Sequence, residues 1–348
     1  MSSKLSIFMI SAAAVGLAGA AIAQNPAANS AAKTTASSAE PAAAKAGIDG
    51  TTLHAQVLLD RAGFGPGPID GRTGISFEDA IRGFQISRGL QPTARLDTPT
   101  RQALLQDRAP STRMLRVSPE DLAGPYLMPF PKNPEEQAKV ERLAYKTPIE
   151  KIAEKFHTTP HALAAMNRPD AQLKAGAVLR FPNVLPSSRT YAGLKPEHAQ
   201  LMSDLNVDAN QPQGDRVVVD KSERVLQVWD GDRLVGQFPV TMGSSNDPLP
   251  LGEWKITTFA FMPPFHYQPN LFWDVEDSKA AQKLPPGPNG PVGVAWLDIT
   301  KEHYGIHGTS EPQTIGRAES HGCVRMTNWD VLRVSRMIKP GAKATFQA

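Results

Sequence analysis

The sequence predicts a multidomain protein: a mainly-β domain over residues 214–347, preceded by a three-helix module at 48–107 and a small α+β module at 138–184. Three observations predict it. At 348 residues the chain has room for two or three domains of ordinary size. As far as residue 184, apolar residues recur at helical spacing between Pro- and Gly-rich breaks. From Arg216 onward they run in short β-branched stretches instead.

A hydrophobic fraction of 41% and a charged fraction of 20% are those of an ordinary globular protein. The formal net charge of +3 is too small to point to nucleic acid as a partner, and no block of like charge stands out from a mixed solvated surface.

Residues 1–23 read as an export signal. Lys4 gives a positive start, Leu5 to Ala20 is a run of small and apolar residues, and Ala21-Ile22-Ala23 fits the small-x-small cleavage rule. An uncleaved membrane anchor is the other reading, and the run is Ala- and Gly-rich and weakly hydrophobic for that. No cysteine follows the apolar run, which excludes a lipid anchor there. Residues 24–47 are almost all Ala, Ser, Thr, Pro, Asn and Lys; with nothing bulky to bury, they are expected to be a disordered tether.

In the helical module Leu53, Val57 and Leu58 give a first apolar face, and Gly63 to Gly71 is a turn-rich loop. Ser76 is expected to cap a second helix, with Phe77, Ala80, Ile81 and Phe84 on its core face. Thr98-Pro99 opens a third. Gly63-Phe64, Pro68-Ile69-Asp70-Gly71, Phe84-Gln85, Gly89-Leu90 and Leu96-Asp97 resemble the peptidoglycan-binding-domain-like helical module, which implies either wall binding or a packing unit without a ligand.

Residues 108–137 are Pro-rich and read as irregular. Thr147-Pro148-Ile149-Glu150 is a capping box that opens a helix through Ile152, Ala153 and Phe156. Thr159-Pro160 opens another, Asn167 stops it, and a strand follows over 177–181. With a first strand expected at Glu141–Tyr145, this resembles a degenerate LysM module, whose β-α-α-β fold implies binding of glycan chains or a structural role. Residues 185–213 read as a polar linker.

In the β domain, Val217-Val218-Val219 and Val225 to Trp229 are strands, and Asp230-Gly231 separates the second from Leu234 to Val240 as a hairpin turn. Glu253 to Phe261 and Val292 to Ile299 add two more. Between these lies a long loop, Met262 to Pro291, rich in Pro, Gly and aromatics; it either walls a groove or is a plain excursion.

The chemistry concentrates in Ile306-His307-Gly308-Thr309 and Ser320-His321-Gly322-Cys323-Val324-Arg325-Met326. Cys323 is the only cysteine, and in an oxidising compartment a lone thiol invites mispairing, so it needs a reason. His307 is expected at a strand end, and Cys323 in a turn before a helix capped by Thr327. A helix N-terminus and a neighbouring imidazole both favour a thiolate. Thiol acyl transfer needs a sulfur nucleophile, a base for its proton and N–H donors for the oxyanion, and these residues can supply all three. Zinc on His307, His321 and Cys323, with His266 or His303 as a fourth ligand, is the rival; His-x-Cys spacing suits it poorly.

The same residues resemble the signature of YkuD-type L,D-transpeptidases, as do Pro248 to Trp254, Pro285 to Gly293 and Trp296. The likeness spans about residues 215–347 and implies a mainly-β L,D-transpeptidase catalytic domain. It implies Cys323 as nucleophile, His307 as base held by the Gly308 carbonyl, and an oxyanion hole from the His321, Gly322 and Cys323 amides. Arg325, Ser320 and Thr309 are then substrate-binding, Arg325 meeting a carboxylate or fixing the turn by an ion pair. The implied setting is the periplasm, the implied partner peptidoglycan, with an outer-membrane protein as one possible acyl acceptor; no metal or organic cofactor is required.

Overall fold

The computed structural model describes residues 47–269, 279–318 and 322–348. The expected leader and the tether as far as residue 46, the loop segment 270–278, and Ser320 and His321 lie outside them.

In the helical module, α1 (Gly50–Arg61) starts on Asp49, whose carboxylate accepts from the Thr52 N–H at 2.7 Å. α2 (Ile75–Ser87) starts two residues earlier than expected: Gly74, not Ser76, is its cap. Asp79 on this helix is paired with Arg82 at 3.1 Å. α3 (Thr98–Leu104) is capped by Asp97 and carries Pro99 in its first turn.

The α+β module is formed, but from a different first strand. β1 (Thr112–Arg116) lies in the stretch read as irregular and pairs antiparallel with β2 (Val178–Pro182). A short α4 (Pro134–Gln137), α5 (Pro148–Lys155) and α6 (Pro160–Ala165) lie between the two strands, in the order β-α-α-α-β. Thr147 and Thr159 cap these helices through the N–H groups of Glu150 and Ala162, as the sequence predicts. Residues 141–145 are not a strand of this module, because their backbone serves another partner. The Leu143 N–H donates to the Pro286 carbonyl and the Leu143 carbonyl accepts from the Asn289 N–H, both at 3.0 Å.

The expected linker is also structured. It contains α7 (Pro196–Asp204), and Tyr191, Met202, Leu205 and Val207 are buried in the core of the β domain. The Tyr191 hydroxyl donates to the Val207 carbonyl at 2.6 Å, closing the segment on itself.

The β domain is built on an eight-stranded sheet. Its strands are β3 (Arg216–Asp220), β4 (Val225–Asp230), β5 (Arg233–Pro239), β6 (Gly252–Phe261), β9 (Ala295–Ile299), β10 (Gly305–His307), β11 (Val324–Arg325) and β12 (Lys343–Gln347), in the order β11-β10-β9-β6-β12-β3-β4-β5. The β4–β5 turn is Gly231-Asp232, one residue later than expected. Asp230 and Arg233 form the last pair, joined by an ion pair at 2.7 Å, so Gly231, at φ +56°, takes the first turn position. The described ends of the long loop pair as a small ribbon, β7 (Phe265–Tyr267) with β8 (Gln282–Leu284). α8 (Asn328–Met337) is capped by Thr327, whose hydroxyl accepts from the Asp330 N–H at 3.1 Å, and it buries Trp329, Val331, Leu332, Val334 and Met337 in the core.

Residues 47–348 form one compact unit, so the three parts are packed together and not strung on linkers. The helical module covers the outer edge of the sheet: the Gly65 N–H donates to the Gln237 carbonyl at 2.8 Å, and the Gln237 N–H to the Gly63 carbonyl at 3.1 Å. An edge strand left open would be a template for pairing with other chains. Gly83 of α2 sits directly on Gln237; a β-carbon there would lie 2.6 Å from its amide carbon.

All three parts meet at one buried polar cluster. Asp60 of α1 faces His157 Nδ1 at 3.1 Å and Arg333 of α8 at 3.1 Å. His157 Nε2 faces the Leu205 carbonyl at 2.8 Å, and its ring stacks on Trp329 with centroids 5.2 Å apart. Each imidazole nitrogen thus faces an oxygen. Burial alone would raise the Asp60 carboxyl, but His157 and Arg333 outweigh it and hold the group below its ordinary value.

Candidate active site

The site is a row across three strands. In the sheet register His307 lies opposite Trp296 on one side and Arg325 on the other. Side chains at matched positions share a face, so the three stand together. Trp296 stacks on the His307 ring, with centroids 5.3 Å apart and planes 13° from parallel. Its indole N–H is held by Asp298 at 3.2 Å.

Cys323 lies just before β11, two residues ahead of Arg325. Carrying the β10–β11 register one step back sets it beside Gly305. Gly305 has to be a glycine, because a β-carbon there would lie 2.3 Å from the Trp296 ring. The sulfur is 3.8 Å from the His303 carbonyl. Gly322 is at φ +91°, with Tyr304 2.6 Å from where a β-carbon would be. The sequence therefore correctly places His307 at a strand end.

One expectation is overturned. β11 stands between Cys323 and α8, so the thiol is not at the helix start, and Thr327 and Asp330 occupy that end. Burial pushes the Cys323 thiol up, more than the Gly305 backbone N–H and the Arg325 charge pull it down. His307 is 4% exposed, and burial together with the neighbouring Arg325 lowers its pKa to about 3. At rest the sulfur keeps its proton and the imidazole is neutral.

The tautomer follows from one contact. His307 Nδ1 lies 2.7 Å from the Gly308 carbonyl, which can only accept, so Nδ1 carries the proton. Nε2 is left with its lone pair, the state a base needs. The Gly308 carbonyl thus holds the His307 ring by this one hydrogen bond. Arg325 is half-buried, and its backbone is pinned to Thr241 by hydrogen bonds of 2.7 and 3.0 Å. Thr309 is turned inward, its hydroxyl accepting from the Glu311 N–H at 3.2 Å. Two residues escaped the sequence reading, Asn328 and Glu154. Asn328 is wholly buried and its amide oxygen accepts from the Val294 N–H at 3.1 Å. Its amide nitrogen donates to both Glu154 carboxyl oxygens at 3.1 Å. A polar residue beside a helix cap was the only signal for the first, and none marked the second.

Burial pushes the Glu154 carboxyl up to about 8, against hydrogen bonds from Asn328 and Tyr145 that favour the charged form. An acid that binds its proton more tightly when folded makes stability fall as pH rises from its ordinary value near 4.5 to about 8, and level off above. Wild type is therefore expected to lose on the order of 3 kcal/mol from this group between pH 5 and pH 8. Glu154→Gln should remove that loss in denaturant titrations at the two pH values, whereas an unchanged pH dependence would place the proton elsewhere.

A protonated thiol beside a neutral, oriented imidazole is an arrangement for thiol acyl transfer. Comparison with known proteins agrees with that class. The YkuD family profile, described as "L,D-transpeptidase catalytic domain", matches residues 214–345, and one described as "Putative peptidoglycan binding domain" matches residues 51–104. A relative from Bacillus licheniformis named "Putative L,D-transpeptidase YkuD" is 30% identical over 200 residues, 57% of this chain and 92% of the relative. Its namesake from Bacillus subtilis is 48% identical over 129 residues, 37% of this chain and 63% of that protein. Among solved structures, L,D-transpeptidase 3 from Mycobacterium tuberculosis with a faropenem-derived adduct is alike at a TM-score of 0.31 and 16% identity, over 38% of this chain and 59% of that one. The chain belongs to the YkuD family of L,D-transpeptidases, which are transferase enzymes.

Proposed function

We propose that the protein is a periplasmic L,D-transpeptidase acting on peptidoglycan stem tetrapeptides through an acyl-Cys323 intermediate. The observation that carries the reading is the His307 geometry: Nδ1 held by the Gly308 carbonyl at 2.7 Å, and Nε2 left unprotonated, with Cys323 just before β11, the strand paired with that of His307. As the sulfur attacks the carbonyl of the diamino acid at position 3, its proton passes to His307 Nε2. The oxyanion is met by the amides around Gly322 and Cys323. The C–N bond to the terminal D-alanine breaks, and His307 returns the proton to the leaving amine. An acceptor amine then attacks the thioester, losing a proton to His307, and the thiol is restored. A second stem's side-chain amine gives a 3→3 cross-link; an amine on an outer-membrane protein tethers that protein to the wall. Residues 1–23 serve as the export signal, Arg325, Ser320 and Thr309 contact the stem, and the helical module docks on the wall.

Sacculi incubated with the protein are expected to yield 3→3 dimers together with free D-alanine in their muropeptide profile. Tripeptide without dimers would replace the transferase reading with an L,D-carboxypeptidase, and loss of existing dimers with an endopeptidase.

A further inference from the structure

The loop that carries His307 is packed on Asn328. The Asn328 amide oxygen fills the space over two glycines of the site: a β-carbon at Gly308 or Gly293 would lie 2.2 or 2.1 Å from it. Its nitrogen has three acceptors in reach, both Glu154 oxygens and the Pro288 carbonyl at 3.3 Å, so the amide can sit only one way round. Glu154 stands on α5 of the α+β module and is itself held by the Tyr145 hydroxyl at 2.8 Å. Asn289, from the loop entering β9, donates to the Ala144 carbonyl and to Glu150, both at 3.1 Å. A continuous set of contacts thus runs from α5 through Glu154, Asn328 and the Gly308 peptide to the His307 ring.

We propose that Asn328 and Glu154 are positioning residues for the acyl transfer. By fixing the Gly308 peptide they hold its carbonyl on His307 Nδ1, and with it the tautomer that leaves Nε2 as the base. The α+β module is then a working part of the active site, whatever else it binds. This rests on His307 acting as the base. Glu154 works as a neutral hydrogen-bonding group. A glutamine can take its place, accepting from Asn328 through its oxygen and donating to the Tyr145 hydroxyl through its nitrogen.

The test uses the full chain and a simple acyl donor, p-nitrophenyl acetate, with the acylation of Cys323 followed by the nitrophenolate burst. The ring 15N shifts of His307 report the tautomer directly. Asn328→Ala and Glu154→Ala are expected to acylate about tenfold more slowly and to show a mixture of His307 tautomers. Glu154→Gln should stay within about twofold of wild type on both readouts. Should an alanine variant fail to fold, Asn328→Ser replaces it, since the serine side chain is shorter and lacks the second polar atom with which Asn328 spans Val294 and Glu154. Variants that lose thermal stability yet acylate at the wild-type rate with Nδ1 protonated would reduce both residues to scaffold and overturn the proposal. His307→Ala separates the two ideas: if it acylates as fast as wild type, the base assignment itself falls.

Discussion

Replacing Cys323 by alanine is expected to abolish D-alanine release and dimer formation, a loss of roughly three orders of magnitude or more. The chain holds no second cysteine to stand in. His307→Ala should cost about 10² to 10⁴. It falls short of the cysteine change because the thiol remains and can ionise by itself at high pH. The two variants differ in shape as well as size. With a His307 pKa of about 3, wild type keeps its base across mildly acid pH, so no rate loss from imidazole protonation is expected above about pH 4. His307→Ala should instead gain rate steadily towards alkaline pH, as thiolate accumulates. A Cys323→Ala protein that still released D-alanine would end the nucleophile assignment.

The second large effect concerns stability. Arg333→Ala should lower the free energy of unfolding by about 3–5 kcal/mol, the range for removing one partner of a buried ion pair. Arg333 is almost wholly buried between Asp60 at 3.1 Å and Asp330 at 3.4 Å, with its guanidinium over the Phe238 ring. Without it Asp60 loses the guanidinium that partners it in the same dry site. Asp330, which burial lifts to about 6 ahead of the opposing pull of Arg333, would become harder still to ionise. The Asp60 contribution also has a definite pH window. Its carboxyl is lowered when folded, so the stability it adds is present above its ordinary value of 3.8 and is lost as pH falls through the folded one. Because the cluster joins helical module, α+β module and α8, wild type should melt in one transition. Denaturant unfolding watched by Trp329 fluorescence checks both points; a cost below about 1 kcal/mol would mean that packing alone joins the parts.

What the sequence disclosed follows from how local each signal is. His307 and Cys323 were legible because their glycines are close by: Gly308, Gly322 and Gly305 each meet a need for space or backbone freedom within three residues of a reacting group. The caps Thr147, Thr159 and Thr327 are equally local. β1 was not legible, because Met114 is 54% exposed and only Leu115 turns towards the core, so no alternation appears. α7 was hidden for a similar reason: it buries a single residue of its nine, Met202. The hairpin turn was off by one because the Asp230–Arg233 ion pair settles its register, and composition does not encode that pair. Asn328 and Glu154 could not be found at all, since 174 residues separate the partners of one hydrogen bond. How closely the modules pack was hidden for the same reason: long-range contacts, which no local pattern encodes, gather residues 47–348 into one compact unit.

The strand order carries a consequence for how the protein is made. β12, the last strand in the chain, lies near the middle of the sheet between β6 and β3 and matches Lys343 to Arg216. During synthesis β3 must wait while more than a hundred residues are added, roughly 6–25 seconds at ordinary ribosome speeds. Until then one side of β3 has no partner and the hydrophobic core has a slot missing. The core of the β domain therefore closes only once β12 has been made.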